Sequence, residues 1–357
     1  MLIAAARPNP SIDVEVENFF GRGEFRSLRG AEETLALTHV IERGEKPEFR
    51  QRKASAGIVQ AQSSRELVSS SLRRDATVSF HKLLAAQARY DLTRDHLAVA
   101  EGFAAAQAER FNAGAVPQAD RDAGQVAVSL AKVEMADAER GVNAACVRLA
   151  SIWGNTQPRF SRAAGVLSET TPAPSLASLQ ERLDGSLLLH HLGSGIRLAE
   201  AETALARVSA VPDWEVSAGG RRFEAEDGFA GVFGMSLPIP VFNKNEGGIA
   251  SAEAGRESAV AAYEAGLAAL AARLAEKHAT AESGHLRASS LKKALDQAEA
   301  NLALVSEGYV NGNYPYAVLY DTRSVVWDIR SQLVTATIDH HLALIEIDHL
   351  ISAHARK

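Results

Sequence analysis

Four short stretches of the chain alternate between apolar and polar residues. Ile12, Val14 and Val16 alternate with Asp13, Glu15 and Glu17. Leu35, Leu37 and Ile41 alternate with Thr34 and Thr38, and Trp214, Val216 and Ala218 with Glu215 and Ser217. Phe229, Phe233, Met235 and Leu237 share a face opposite Val232, Gly234 and Ser236. Period two predicts strands with one apolar and one polar face, here over about residues 11–19, 33–41, 213–222 and 229–239. Strands of about 9–11 residues suit a tilted crossing of a membrane. The loops between them, Gly21 to Gly30 and Arg222 to Gly228, are charged and carry glycine. Four strands are too few to close a barrel, whose smallest usual form has about eight. They make either a small open sheet or one part of a barrel to which several chains contribute.

The pattern then changes period. From Pro47 to Asn112 no proline interrupts the chain, which permits a helix of about 100 Å at 1.5 Å per residue. A second such stretch runs over 246–310, where Tyr263, Leu267, Leu270, Leu274, Ala281, Ala288, Leu291, Leu295, Ala298, Leu302, Val305 and Tyr309 fall on one 4-3 register. Lys277 and Gly284 are its weak layers. Sustained heptads predict coiled-coil packing, and alanines on the seam allow close approach. Return helices are predicted over 117–153 and 315–353, each opening on a proline, which suits the first helical turn. Gly114 and Gly312 suit the ends of the preceding helices.

These elements occur twice. Phe111-Asn-Ala-Gly114-Ala-Val-Pro117 matches Tyr309-Val-Asn-Gly312-Asn-Tyr-Pro315, and Thr38-His-Val-Ile-Glu matches Ser236-Leu-Pro-Ile-Pro, both at an offset of 198. Pro10-Ser-Ile-Asp-Val matches Pro212-Asp-Trp-Glu-Val at 202. The organisation expected is a first repeat over 1–153, a connection with a short helix over 154–191, and a second repeat over 192–357 that opens with a helix over 192–210. Leu176–Leu189 and Leu192–Ala210 read as two shorter helices. The chain is expected to be truncated at its N-terminal side, beginning at the end of a helix whose counterpart ends near Val211.

Composition narrows the classes. The 357 residues carry 38 Lys+Arg against 44 Asp+Glu, a net charge of -6, which argues against a dedicated nucleic-acid binder. The single cysteine, Cys146, excludes an intramolecular disulfide framework and a cysteine-cluster metal site. No apolar run reaches the roughly 18–20 residues of a membrane helix, whereas a β-barrel leaves a much weaker hydropathy signal. The N-terminus lacks the basic region and apolar core of a secretory signal.

Little catalytic chemistry stands out. His340-His341, with Asp339, Asp348 and His349, is the best metal-ligand cluster, but adjacent histidines diverge on a helix, and solvated polar surface is the simpler reading. His278 and His285, seven apart, are expected to be exposed or lumen-lining. Neither a nucleophile elbow nor a phosphate loop stands in the required strand–turn–helix context. No enzyme activity, cofactor or metal site is expected. The carboxylates are more informative. If the apolar strand faces meet lipid, Asp13, Glu15 and Glu17 line a water-filled lumen, where acidic rings favour cations. Asp120, Asp122 and Asp321 follow the two Gly/Pro tips, where the helix dipole stabilises acids; pore closure is their functional reading.

Strand pairs, long helices and Gly/Pro tips together resemble the TolC family of outer-membrane efflux channels. Three segments resemble its cation-efflux, CzcC-like branch: Arg7-Pro-Asn-Pro10 with Glu15-Val-Glu-Asn18 and Gly21; Glu42-Arg-Gly-Glu-Lys46 with Arg50; and Ser236-Leu-Pro-Ile-Pro-Val-Phe-Asn-Lys-Asn-Glu-Gly247. The resemblance implies a mainly α protein with a small membrane β part. Long helical hairpins would form a periplasmic α-barrel, and four strands per protomer would close a twelve-stranded β-barrel in a homotrimer. It implies the outer membrane of a Gram-negative bacterium, contact with its lipid, a periplasmic adaptor docked on the tips Asn112, Gly114, Val116, Asn311, Gly312 and Tyr314, and an inner-membrane resistance-nodulation-division pump. It implies a pore gate after the second tip. Asp321 matches one acidic position of that gate, Val318 occupies the other, and Val40 replaces a customary proline. The family's signal, lipid-anchor cysteine and first helix pair have no counterpart in this chain. The expected function is a passive exit duct of a proton-driven heavy-metal efflux system. The rivals are a duct for drug or protein export and, in a different class, a soluble periplasmic coiled-coil scaffold or adaptor.

Overall fold

The computed structural model describes residues 2–353, so the outermost residues of the two predicted repeats, 1 and 354–357, lie outside the described residues. The chain forms two compact units, each built from two separate stretches: one from the residues up to Arg65 and Leu189–Gly266, the other from Glu66–Leu188 and Leu267 onward. Both units therefore draw on both sequence repeats.

The first unit holds a single sheet of four antiparallel strands, β1 (Ser11–Glu17), β2 (Glu32–Ile41), β3 (Trp214–Phe223) and β4 (Gly228–Ser236), in the order β1-β2-β3-β4. The central pair joins the two repeats, with Leu35 opposite Gly220 and Leu37 opposite Ala218. The register puts Ile12, Val14, Leu35, Leu37, Val216, Ala218, Phe229, Phe233 and Met235 on one face. That face is uncovered: Ile12 is 71% exposed and Phe233 73%. Strand ends differ from the alternation for local reasons. β1 stops at Glu17, not 19, because Asn18 (φ 57) and Phe20 (φ 55) take left-handed conformations. β4 stops at Ser236, not 239, because Pro238 has no N–H for the ladder. Asp213 stays outside β3, its carboxylate accepting the Arg43 backbone N–H at 2.9 Å and Lys46 Nζ at 2.7 Å.

Gly219 and Gly220 lie within the ladder because the sheet needs them bare. A Cβ on Gly219 would stand 2.2 Å from the Leu35 carbonyl oxygen, and one on Gly220 would stand 2.3 Å from the Phe229 ring. The strand thus trades its own side chain for the aromatic laid across it.

Around the sheet, Leu2–Ala5 forms one helical turn (α1), and α2 (Lys46–Asn112) and α6 (Glu246–Val310) begin in this unit. The helix expected over 192–210 is α5 (Leu187–Ser209), which runs unbroken through His190 to Gly195. The serine there serves close packing. Ser194 is fully buried with its Oγ 2.9 Å from Ser63 Oγ. The break predicted near 190 falls earlier: α4 covers only Leu176–Gln180, and a short 3-10 turn over Leu183–Gly185 precedes α5.

The second unit is helical. The remainder of α2 pairs with α3 (Gln118–Ser151), and the remainder of α6 with α7 (Tyr316–Leu350). Leu83, Val142, Cys146 and Leu149 form one buried cluster, flanked by Phe80, Tyr90 and Phe160. Phe103, Val305, Tyr316 and Leu319 form another, with Phe103 stacked on Tyr320 at 4.3 Å between centroids. On α6 the buried positions include Leu270, Leu274, Ala281, Ala288 and Val305 of the expected register, but His278 replaces Lys277 and Gly308 replaces Tyr309. A straight helix drifts against a strict 3.5 repeat, and one-residue substitutions along the seam follow. Gly284 is no weak layer. A Cβ there would meet His340 Cβ at 3.0 Å and its Cα and N at 3.1 Å, so the bare glycine lets α7 lie close against α6.

Candidate functional site

The polar sheet face is the first candidate surface. Asp13, Glu15 and Glu17 share it with Glu32, Thr34, Thr38, Glu215, Ser217 and Arg221. Thr38 Oγ1 donates to Asp13 at 2.5 Å. Arg221 sits among acids: it donates to Thr34 Oγ1 at 2.8 Å and Glu32 at 2.9 Å, and pairs with Glu17 at 3.1 Å. Asp13, Glu15, Glu17, Glu32 and Glu215 against one guanidinium leave the face acidic. The alternation pointed to the β1 carboxylates and missed Arg221. Extending the polar series Glu215, Ser217, Gly219 by one step would have found it.

Where the strands meet the helices, Glu42 and Arg50 form a two-bonded ion pair, one bond at 3.0 Å. Arg50 also donates to the Ala6 carbonyl at 2.9 Å and the Ala4 carbonyl at 3.4 Å. The Arg50 guanidinium holds the Glu42 carboxyl below its ordinary range against the opposing effect of burial. The carboxylate in turn raises Arg50.

The two helical tips have the same backbone. Gly114 (φ 70) and Gly312 (φ 79) are left-handed. The next N–H reaches back five residues in each: Ala115 to the Arg110 carbonyl at 2.8 Å, and Asn313 to the Gly308 carbonyl at 2.7 Å. This is the Schellman stop, and Pro117 and Pro315 cap the helices that follow. Asn112, Gly114, Asn311, Gly312 and Tyr314 are exposed, and Val116 is half-buried. Tyr314 lies over Gly308, where a Cβ would stand 2.4 Å from its ring.

The three acids after the tips are not equivalent. Asp120 begins α3. Asp122 is bound by Arg121 at 2.8 Å and Gln118 at 3.3 Å, and the Arg121 hydrogen bond lowers its pKa. Asp321 is exposed and forms no hydrogen bond or ion pair among the described residues.

The histidines depart from expectation. His340 is not solvated surface: it is fully buried, its Nδ1 lies 2.8 Å from the Ala281 carbonyl, and its Nε2 has no partner. Burial pushes its pKa down. His278 is buried rather than exposed, with Nε2 2.9 Å from the Pro174 carbonyl. His285 Nδ1 is 3.0 Å from Thr170 Oγ1, and His341 Nε2 is 2.9 Å from the Ser168 carbonyl. These side chains fasten the connecting segment over 155–175 to the helices, a task that no local spacing in the sequence announces. Among the described residues no group of three His, Cys, Asp or Glu could hold a metal ion, and no helix is long and apolar enough to cross a membrane.

Residues 179–352 match the family described as outer membrane efflux protein. The match takes in the second half of the chain, just under half of its length. Over 207 residues the chain is 30% identical to the cobalt-zinc-cadmium resistance protein CzcC of Cupriavidus metallidurans; the alignment covers 56% of this chain and 50% of CzcC, so the chain spans about half the length of that relative. Two solved structures share its fold. A membrane protein from Pseudomonas aeruginosa superposes with a TM-score of 0.79 at 16% identity, covering 99% of this chain and 83% of that one. The outer membrane protein VceC from Vibrio cholerae gives 0.77 at 16% identity, covering 98% and 87%.

Proposed function

We propose that this protein is one protomer of a trimeric duct that passes heavy-metal cations out of the periplasm. The observation that carries the reading is the sheet: four strands with an uncovered apolar face, an acidic opposite face, and unpaired edges at β1 and β4. Three copies joined edge to edge give twelve strands, enough to close a barrel, with the apolar face toward lipid and Asp13, Glu15 and Glu17 toward the water. An acidic lumen favours cations over anions. The likeness to a cobalt-zinc-cadmium resistance protein supports metal ions as cargo. The exposed tips around Gly114 and Gly312 would dock a periplasmic adaptor, an inner-membrane pump would drive the flux, and the duct itself would do no chemistry. Asp321, exposed and unpaired among the described residues, is the best of the three gate candidates.

A soluble scaffold is disfavoured because it would leave the apolar sheet face against water. The test is expression behind a signal sequence, followed by membrane fractionation and metal-sensitivity assays in a strain lacking its own metal efflux duct. A detergent-resistant trimer in the outer membrane with restored zinc, cobalt or cadmium tolerance is expected. A soluble monomer would overturn the duct, and a trimer that restores only drug tolerance would overturn the cargo.

A further inference from the structure

Four imidazoles stand in a row in the helical unit. His81 on α2 lies 5.6 Å between ring centroids from His341 on α7; His341 lies 5.5 Å from His340, and His340 lies 6.0 Å from His285 on α6. Each ring has one nitrogen engaged by the protein: His81 Nδ1 with the Thr77 carbonyl at 2.9 Å, His341 Nε2 with the Ser168 carbonyl, His340 Nδ1 with the Ala281 carbonyl, and His285 Nδ1 with Thr170 Oγ1. A nitrogen facing a carbonyl must carry the proton, so the other nitrogen of His81, His341 and His340 holds a lone pair. None of those lone pairs has a hydrogen-bond partner among the described residues, and that of His340 is fully buried.

This is how proteins prepare histidine for metal: one ring nitrogen donates to a carbonyl, fixing tautomer and ring orientation, and the other is presented to the ion. The spacing also suits it. Two imidazoles sharing one ion at zinc–nitrogen distances of about 2.0–2.1 Å have centroids about 5–6 Å apart. We propose that the row, entered at His81 and His341, binds a borderline transition-metal cation such as Zn2+, two imidazoles to an ion with water completing its shell. With no third ligand in place, the site holds its ion loosely, as suits an exchanging ion more than a resident one. Imidazole selects Zn2+, Ni2+ or Cu2+ over the oxygen-seeking Mg2+ and Ca2+. The inference does not depend on what the duct carries.

The test is calorimetric titration of the purified full-length chain with Zn2+, Ni2+ and Mg2+, with zinc-edge X-ray absorption to identify the ligands. Micromolar zinc binding with a nitrogen signature of imidazole is expected, with no Mg2+ response, and H81N/H341N should weaken it by more than the roughly tenfold that loss of an outer-shell partner alone costs. H39N, on the strand, reports any general effect of losing a histidine and should bind as the parent does. H278N releases the connecting segment at Pro174 without touching the row and should also bind normally. H341N alone serves if the double variant does not fold. Zinc binding weaker than millimolar in the parent would overturn the proposal, as would full binding by H81N/H341N or H341N, or an equal loss in H278N. Failure of metal tolerance in cells with zinc binding intact would count against the cargo and leave the site standing.

Discussion

Replacing Arg50 by methionine removes the partner of a mostly buried carboxylate. The Glu42 side chain is 10% exposed and that of Arg50 29%, so solvent can rescue little of the stranded charge. Breaking a buried pair from one side costs about 3–5 kcal/mol, and the partial exposure of Arg50 puts this case near about 3 kcal/mol. Arg50→Lys keeps the charge but loses the fork that reaches both Glu42 oxygens and the Ala4 and Ala6 carbonyls and should cost about 1–2 kcal/mol. Glu42→Gln should cost about as much. The double variant E42Q/R50M should lose less than the sum, because the two sites share one interaction. Hydrogen exchange is the assay of choice, since it reads local opening without complete unfolding. Amides of residues 2–6 and 43–50 should exchange roughly a hundredfold faster in R50M, the counterpart of about 3 kcal/mol. The pH dependence has a definite sign. The folded carboxyl titrates below its unfolded value, so the stabilisation is complete above the ordinary carboxylate range and is lost as pH falls through the folded value. The parent should therefore lose protection below about pH 4.5, and E42Q should lack that step. Exchange in R50M within a factor of two of the parent would refute the argument.

Gly284→Leu should destabilise the helical unit by about 1–3 kcal/mol through overpacking against the His340 backbone, whereas Gly284→Ala should lie nearer neutral because helix propensity returns about 1 kcal/mol; thermal melting distinguishes them. Gly219→Val should abolish assembly, since its Cβ would occupy the space of the Leu35 carbonyl, and a detergent-resistant trimer in that variant would contradict the register. Gly312→Ala has open space around it but keeps φ at 79, so it should cost about 1–2 kcal/mol from strain alone, visible as faster exchange at the tip. Asp321→Asn should leave stability within about 0.5 kcal/mol and lower the cation preference of single-channel current; unchanged selectivity would remove Asp321 from the gate.

Much of this architecture was legible because it rests on period. Alternation such as Ile12-Asp13-Val14-Glu15 marks a strand whatever surrounds it, and the matched Gly114/Pro117 and Gly312/Pro315 pairs mark helix reversals through backbone chemistry alone. What escaped depends on partners far away in the chain. Leu189 and Leu192 read as the end of one helix and the start of the next, yet α5 runs through both, held by the buried Ser194 against Ser63 far back in the chain. Gly284 read as a gap in a seam, although its bareness admits His340. His278, His285 and His341 looked solvated because the segment they hold, 155–175, has no periodic signal to announce where it lies. Arg221 belonged to the predicted polar face, and its role emerged only when pairing brought Glu17 and Glu32 beside it.

If the sheet enters a barrel of three copies as proposed, the unpaired margins of β1 and β4 dictate an order of events during biogenesis. In hydrocarbon each bare N–H or C=O costs several kcal/mol, so a solitary sheet cannot wait in the bilayer for companions. Insertion and association must then happen together, and the yield of duct should rise steeply with the supply of newly exported chains. A copy whose margin is spoiled would be more harmful than a copy that is missing, because it can join an assembly that it cannot complete.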